Sequence, residues 1–219
     1  MSAFNLFITA TDTDAGKTYV AVQLTKALVA LGEKVAVYKP IAAGCNLVNG
    51  QLENEDALLL KNASNCQQSY ADVNPIAFEA AIAPHIAALK TGAAINHEIV
   101  LQGFNQLPGD INIVEGAGGW RLPLGDGKYL SELVQIMAPK VVLVVNMKLG
   151  CLNHAMLTYE SIIADGLECI GWLANNQEDM PYLAENIAEL TSLIPAPCLA
   201  KINMNDNLNA AAKYIVSCK

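Results

Sequence analysis

Residues 140–146 read KVVLVVN, an unbroken run of five apolar residues of which four are valine. A strand with one face in water alternates apolar and polar side chains, so a run without alternation is a strand covered on both faces. Such strands belong to parallel sheets, whose crossover helices lie on the two faces. Residues 4–9, 34–38 (KVAVY), 110–114 (DINIV), 167–174 (LECIGWLA) and 198–202 read as further strands. Helical spacing of apolar residues covers 19–31, closed by Gly32, and then 56–61, 96–107, 130–137, 151–164, 181–193 and 207–216. Strands alternating with helices make βαβ units with right-handed crossovers. The expected fold is therefore α/β, a mostly parallel sheet flanked by helices on both faces. No repeat, low-complexity stretch or linker interrupts it, so residues 1–219 are expected to form a single domain.

Composition narrows the function. Hydrophobic residues at 53% and charged residues at 16% exclude a disordered chain. Thirteen basic against 21 acidic residues leave a net charge of −8, which argues against a nucleic-acid partner held through phosphates. No segment approaches the roughly 20 apolar residues of a membrane span, and the apolar N-terminal run has no basic region before it. A cytoplasmic protein with no membrane partner is expected. Cys45, Cys66, Cys151, Cys169, Cys198 and Cys218 are scattered without CxxC or Cys/His metal spacing, as reduced thiols would be.

In open α/β sheets ligands sit beyond the carboxyl ends of the strands. The unusual residues of this chain gather there, in 11–18, 39–44, 115–119, 148–154 and 175–176. The first of these segments carries Thr13-Asp14-Ala15-Gly16-Lys17-Thr18 between a strand and a helix. That ending is the ending of a P-loop: main-chain N–H groups cradle phosphates, a lysine reaches the outer phosphates and a hydroxyl meets Mg²⁺. The strict pattern wants glycine where Thr11 stands, so the flanking strand and helix carry the assignment. ParA/MinD-like ATPases place a signature lysine five residues before the P-loop lysine. Here that residue is Asp12, suited to orienting a cationic or amine-bearing substrate.

Phosphoryl transfer needs its charge neutralised, usually by Mg²⁺ on hydroxyl and carboxylate oxygens. Thr18 supplies a hydroxyl. Glu115, at the end of a buried strand before Gly116-Ala117-Gly118-Gly119, supplies a carboxylate or else serves a cap or an ion pair. Asp56 stands near a helix start, where an acid also simply favours the helix dipole. Lys39, followed by Pro40, either points into the crevice or is a solvated surface lysine. If it lines the site, its compact charge suits an anionic intermediate.

These segments resemble the dethiobiotin synthetase family, whose fold is that of the P-loop NTPases. The likeness rests on the P-loop, Tyr38-Lys39-Pro40, VEGAGG at 114–119 and KLGCLNH at 148–154. Asn74-Pro75, Pro84-His85, GWLAN at 171–175 and IPAP at 194–197 extend it along nearly the whole chain in the right order. The resemblance implies an ATP- and Mg²⁺-dependent ligase that builds the ureido ring of dethiobiotin from 7,8-diaminononanoate and CO₂. It implies Lys39, Lys17 and Thr13 as catalytic positions, with Lys17 and Lys39 on phosphates and carbamate. Thr18, Asp56 and Glu115 match the Mg²⁺ positions, and Asp14 to Thr18 with Glu115, Gly116, Ala117 and Gly118 fall to the nucleotide. Asn175, Asn176, Asn203 and Met204 match its base-contacting side. Substrate positions are Asp12, Lys39, Ala43, Gly118, Leu149, Gly150, Cys151 and Asn153, the last four reaching the substrate carboxylate across a homodimer interface. His154 is taken as structural. The chain departs from the family where Ala10 replaces a usual glycine and Ala43 a common serine or threonine, a lost hydrogen bond worth about 0.5–1.5 kcal/mol. Asn203-Met204 stands in place of a Pro-Trp, and Asn176 in place of a frequent aspartate. The alternative reading is a ParA/MinD-like ATPase switch.

Overall fold

The computed structural model describes residues 3–176, 180–202 and 207–219. Asn203 and Met204 lie outside the described residues. The chain opens with β1 (Phe4–Ala10), α1 (Lys17–Ala30) and β2 (Val35–Tyr38). An excursion follows through β3 (Ile41–Ala43), β4 (Asn46–Val48), β5 (Gln51–Glu53), α2 (Glu55–Ala63), α3 (Tyr70–Val73), β6 (Ile76–Phe78), α4 (Pro84–Thr91) and α5 (His97–Asn105). It returns as β7 (Ile111–Glu115), then β8 (Pro123–Gly125), β9 (Lys128–Tyr129) and α6 (Leu130–Met137). The last stretch is β10 (Lys140–Asn146), α7 (Cys151–Ala164), β11 (Cys169–Asn175), α8 (Leu183–Leu193), β12 (Cys198–Ile202) and α9 (Asn209–Ser217).

Six strands form one parallel sheet in the order β12-β11-β10-β1-β7-β2. All its carboxyl ends therefore open on one side, and β7 lies between β1 and β2, which never touch as neighbours. The unalternated runs have the expected cause. Phe7, Val141, Leu143 and Val145 pack with Ala87, Val100, Leu133, Cys151 and Ile187 from the helices α4 to α8. Leu6, Ile8, Val142 and Val144 pack on the other face with Leu24, Leu60 and Ile215 from α1, α2 and α9. Each large aliphatic side chain so buried contributes about 1.5–3 kcal/mol. No helix among the described residues is long and apolar enough to cross a membrane. All six cysteines are free.

The structure adjusts several sequence expectations. The first helix begins at Lys17 instead of Tyr19, because Gly16 turns the chain into it with φ 85°. The helix expected from 181 begins at Leu183, after Tyr182 takes a left-handed φ of 56°. The sequence reading passed over the β3–β6 pair, the β4–β5 and β8–β9 hairpins, and helices α3 and α4. Three-residue strands hold too little pattern to register. Helix α4 did carry signals, a proline at its first turn and a left-handed Gly92 at its end.

Candidate active site

The loop after β1 is shaped by two left-handed residues, Asp14 (φ 55°) and Gly16 (φ 85°). Glycine adopts that conformation freely, whereas Asp14 does so against its Cβ. No side chain caps α1, so its first turn presents main-chain donors and the positive end of the helix dipole to an anion. Lys17 is only 8% exposed, and its Nζ folds back to donate to the main-chain oxygen of Asp12 at 2.9 Å. Burial lowers its ammonium to about 8, against the pull of Glu115 and with the push of Lys39. Asn175, at the end of β11 and buried, donates its amide to the Ala15 carbonyl at 2.8 Å and so pins the loop from behind.

Lys39 is no solvated lysine: it is 5% exposed. Its Nζ lies 2.8 Å from Asp56 Oδ2 and 2.8 Å from Glu115 Oε1. Thr18 Oγ1 donates to the same Glu115 Oε1 at 2.7 Å. Burial opposes the charge on Lys39, but the two carboxylates outweigh it and hold the ammonium above its ordinary range. The Glu115 side chain is wholly buried, while that of Asp56 is 41% exposed. Asp56 sits in the first turn of α2, whose N-cap is Asn54, so the dipole reading of this residue also holds.

The main chain around Lys39 is held as firmly. Its N–H donates to Val73 O at 2.8 Å, and its carbonyl accepts from Asn74 Nδ2 at 2.6 Å. Asn74 Oδ1 accepts from the Tyr70 hydroxyl, which accepts in turn from Asn54 N–H. This relay joins the lysine to the start of the helix that bears Asp56.

A cleft of about 820 Å³ opens over these groups, lined by Thr13, Asp14, Gly16, Lys17, Thr18, Lys39, Ala43, Asp56, Glu115, Gly116, Ala117 and Gly118 among others. That volume falls within the range of small-ligand sites. A Cβ on Gly116 would come within 2.9 Å of the Phe7 ring, so any larger residue there would have to displace that buried ring. Among the described residues, Asp12, Leu149, Gly150, Cys151, Asn153, Asn175 and Asn176 do not line this cleft. Asp12 accepts from Thr13 N–H at 2.8 Å and from Lys148 Nζ at 3.2 Å. Despite partial burial, which would raise its carboxyl, those two donors hold it below the ordinary carboxylate range. Gly150 forms the left-handed N-cap of α7 (φ 94°), with Cys151 buried behind it and Asn153 and Leu149 facing outward. Asn176 follows β11 and donates its N–H to Ile202 O at 3.0 Å.

Sequence reasoning missed Asn54, Lys148, the 81–84 segment and Leu122. Lys148 opens the 148–154 segment, and its role emerges only from its contact with Asp12. Asn54 precedes a visible helix start, where an N-cap is the expected reading. The 81–84 segment and Leu122 have no chemical signature and come to the cleft only through tertiary folding.

The donor set fits Mg²⁺. Glu115 Oε2 is buried and has no hydrogen-bond partner among the described residues, and a hydroxyl and two carboxylates share one corner of the cleft. Among the described residues no three His, Cys, Asp or Glu side chains converge to cage a metal. Two carboxylates and a hydroxyl suit an ion that keeps water and substrate phosphate as its other ligands.

The AAA domain family model matches residues 5–212. The septum site-determining protein MinD of Pyrococcus horikoshii, solved with Mg-ADP, superposes at a TM-score of 0.55. At 16% identity over 100% of this chain and 96% of that one, the likeness speaks for the P-loop fold alone. The ATP-dependent dethiobiotin synthetase BioD of Alteromonas mediterranea is 47% identical over 93% of this chain and 94% of its own length. The protein of the same name from Cellvibrio japonicus is 50% identical over 92% and 90%. With that identity across nearly all of its length, the chain belongs to the dethiobiotin synthetase family.

Proposed function

We propose that this cleft closes the ureido ring of dethiobiotin, in biotin synthesis, from 7,8-diaminononanoate, CO₂ and ATP. One amine adds to CO₂ and loses a proton, giving a carbamate. A carbamate oxygen attacks the γ-phosphorus and ADP leaves. The second amine then attacks the carbonyl carbon of the carbamic-phosphoric anhydride, phosphate leaves, and the urea ring is closed with loss of a proton. The observation that carries this reading is the meeting of Lys17, from the start of α1, and Lys39, just past the end of β2, around Glu115 in one cleft of a chain with these relatives.

The protein's own groups divide the work. Residues 14–18 offer main-chain donors to the phosphates, with Gly116, Ala117 and Gly118 along the opposite wall. Lys17 and Lys39 bring positive charge to the carbamate and the transferring phosphoryl group, where preorganised charge acts most strongly in a water-poor site. Thr13 stands beside them. Thr18, Asp56 and Glu115 would hold Mg²⁺, which supplies neutralisation of phosphoryl charge. Asn175 and Asn176, with Asn203 and Met204, belong to the base side. Asp12, next to Thr13 at the edge of the cleft and paired with Lys148, would orient the diamine. Ala43 contributes shape without a hydroxyl.

Leu149, Gly150, Cys151 and Asn153 would complete the partner's site in a homodimer, the start of α7 receiving the substrate carboxylate. The 97% exposure of Leu149, with Leu157 at 56%, supports an interface along this helix. The reaction is proposed to run in the cytoplasm. Asp12, where a signature lysine would stand, speaks against the switch-type ATPase alternative. Incubation with diaminononanoate, bicarbonate, Mg²⁺ and ATP should yield dethiobiotin by mass together with ADP and phosphate. Absence of product with correctly folded protein overturns the reading.

A further inference from the structure

The carboxylates that suit a divalent cation are already bridged by an ammonium. Lys39 Nζ is 2.8 Å from both Asp56 Oδ2 and Glu115 Oε1. Glu115 Oε1 also accepts from Thr18 at 2.7 Å, so its two lone pairs are taken. A wholly buried carboxylate left without a counter-charge is strongly destabilising. Lys39 is thus the counter-charge that makes the buried Glu115 tolerable to the fold. The same bridging point is the one from which a cation would reach both carboxylates and the Thr18 hydroxyl.

We infer that Lys39 and a divalent cation compete for these two carboxylates, the cation displacing the ammonium into the cleft. This rests on the reading that Thr18, Asp56 and Glu115 hold the metal. The lysine carries its charge on a flexible four-carbon stem, and the cleft beside it gives the ammonium somewhere to go. Lys39 then reaches the carbamate only after the metal has replaced it on the carboxylates. The cleft thereby arms its lysine in step with cation loading. Lys17 differs, because its Nζ is held by a main-chain oxygen and not by a cation-binding carboxylate.

Competition of this kind is measurable without turnover. Mn²⁺ binding to the nucleotide-free protein, followed by the paramagnetic resonance of free Mn²⁺, should be about tenfold or more tighter in Lys39→Met than in wild type. Lys17→Met removes a charge of the same sign from the same pocket and serves as the electrostatic control, with a smaller gain. Equal or weaker binding in Lys39→Met, or a gain no larger than in Lys17→Met, overturns the inference. Wild-type protein labelled with ¹⁵N-lysine gives a second measurement that needs no variant to fold. The exchange-protected ammonium signal of Lys39 should vanish on saturation with Mg²⁺, and its persistence overturns the inference. Neither measurement uses diaminononanoate, so failure of the exchange and failure of ring closure are seen separately.

Discussion

Asn74 donates its side-chain amide to the main-chain carbonyl of Lys39 at 2.6 Å, from a position only 3% exposed. Through Tyr70 the same asparagine is linked to Asn54, so the backbone under Lys39 and the helix under Asp56 share one buried hydrogen-bond chain. Truncating Asn74 to alanine strands the Lys39 carbonyl and the Tyr70 hydroxyl. Asn74→Ala should lower the unfolding free energy by about 1–3 kcal/mol in a denaturant titration. Turnover should fall further than the loss of folded protein explains.

Lys39→Ala should reduce dethiobiotin formation by about 10²-fold or more, the loss seen when a charge-stabilising donor is removed. ADP affinity measured by calorimetry in EDTA should change little, because the phosphate-binding main chain and Lys17 are untouched. Wild-type turnover in this variant would remove Lys39 from the chemistry.

Nucleotide binding should weaken as the pH rises through about 8, the value to which burial brings Lys17. Phosphate prefers the charged ammonium, which the free protein loses above that pH. ADP affinity should therefore fall by up to about tenfold per pH unit beyond it. Folding stability runs the other way for this group. Its depressed pKa makes the charged form a burden on the fold at lower pH, lifted as the pH rises from about 8 towards the ordinary lysine value. Titrations of ADP across this range check the first trend. A flat profile there would show that Lys17 is charged throughout.

Leu149→Asp should turn a dimer into monomers in sedimentation and abolish ring closure in the same step. A carboxylate at this fully outward position leaves the protomer's core intact and opposes only a surface that packs on it. A fully active monomer would contradict a shared site.

The sheet was legible because its strands carry their signal in composition. Runs such as residues 141–145 tolerate one interpretation, and their burial on both faces confirms it. The loop at 14–18 and Glu115 were legible because motif and strand end coincide. Lys39 could not be settled from position alone. Its burial depends on Asn74 and Asp56, which arrive from an excursion of short strands and short helices with little periodicity. Asp12 shows the opposite case, a residue whose type was informative but whose partner, Lys148, lies 136 positions away.

The insertion of β7 between β1 and β2 also governs how the chain comes together. Strand β2 pairs in the main sheet only with β7, and the neighbours of β1 are β7 and β10. A nascent chain therefore extends past residue 110 with two apolar strands unpaired. Contacts of such long sequence separation form slowly and leave strand edges open to other chains meanwhile. Lys17, Lys39 and Glu115 are brought together by that same late pairing. The pocket is then a product of the final stages of folding, and lesions in β7 should appear first as poor yield of soluble protein.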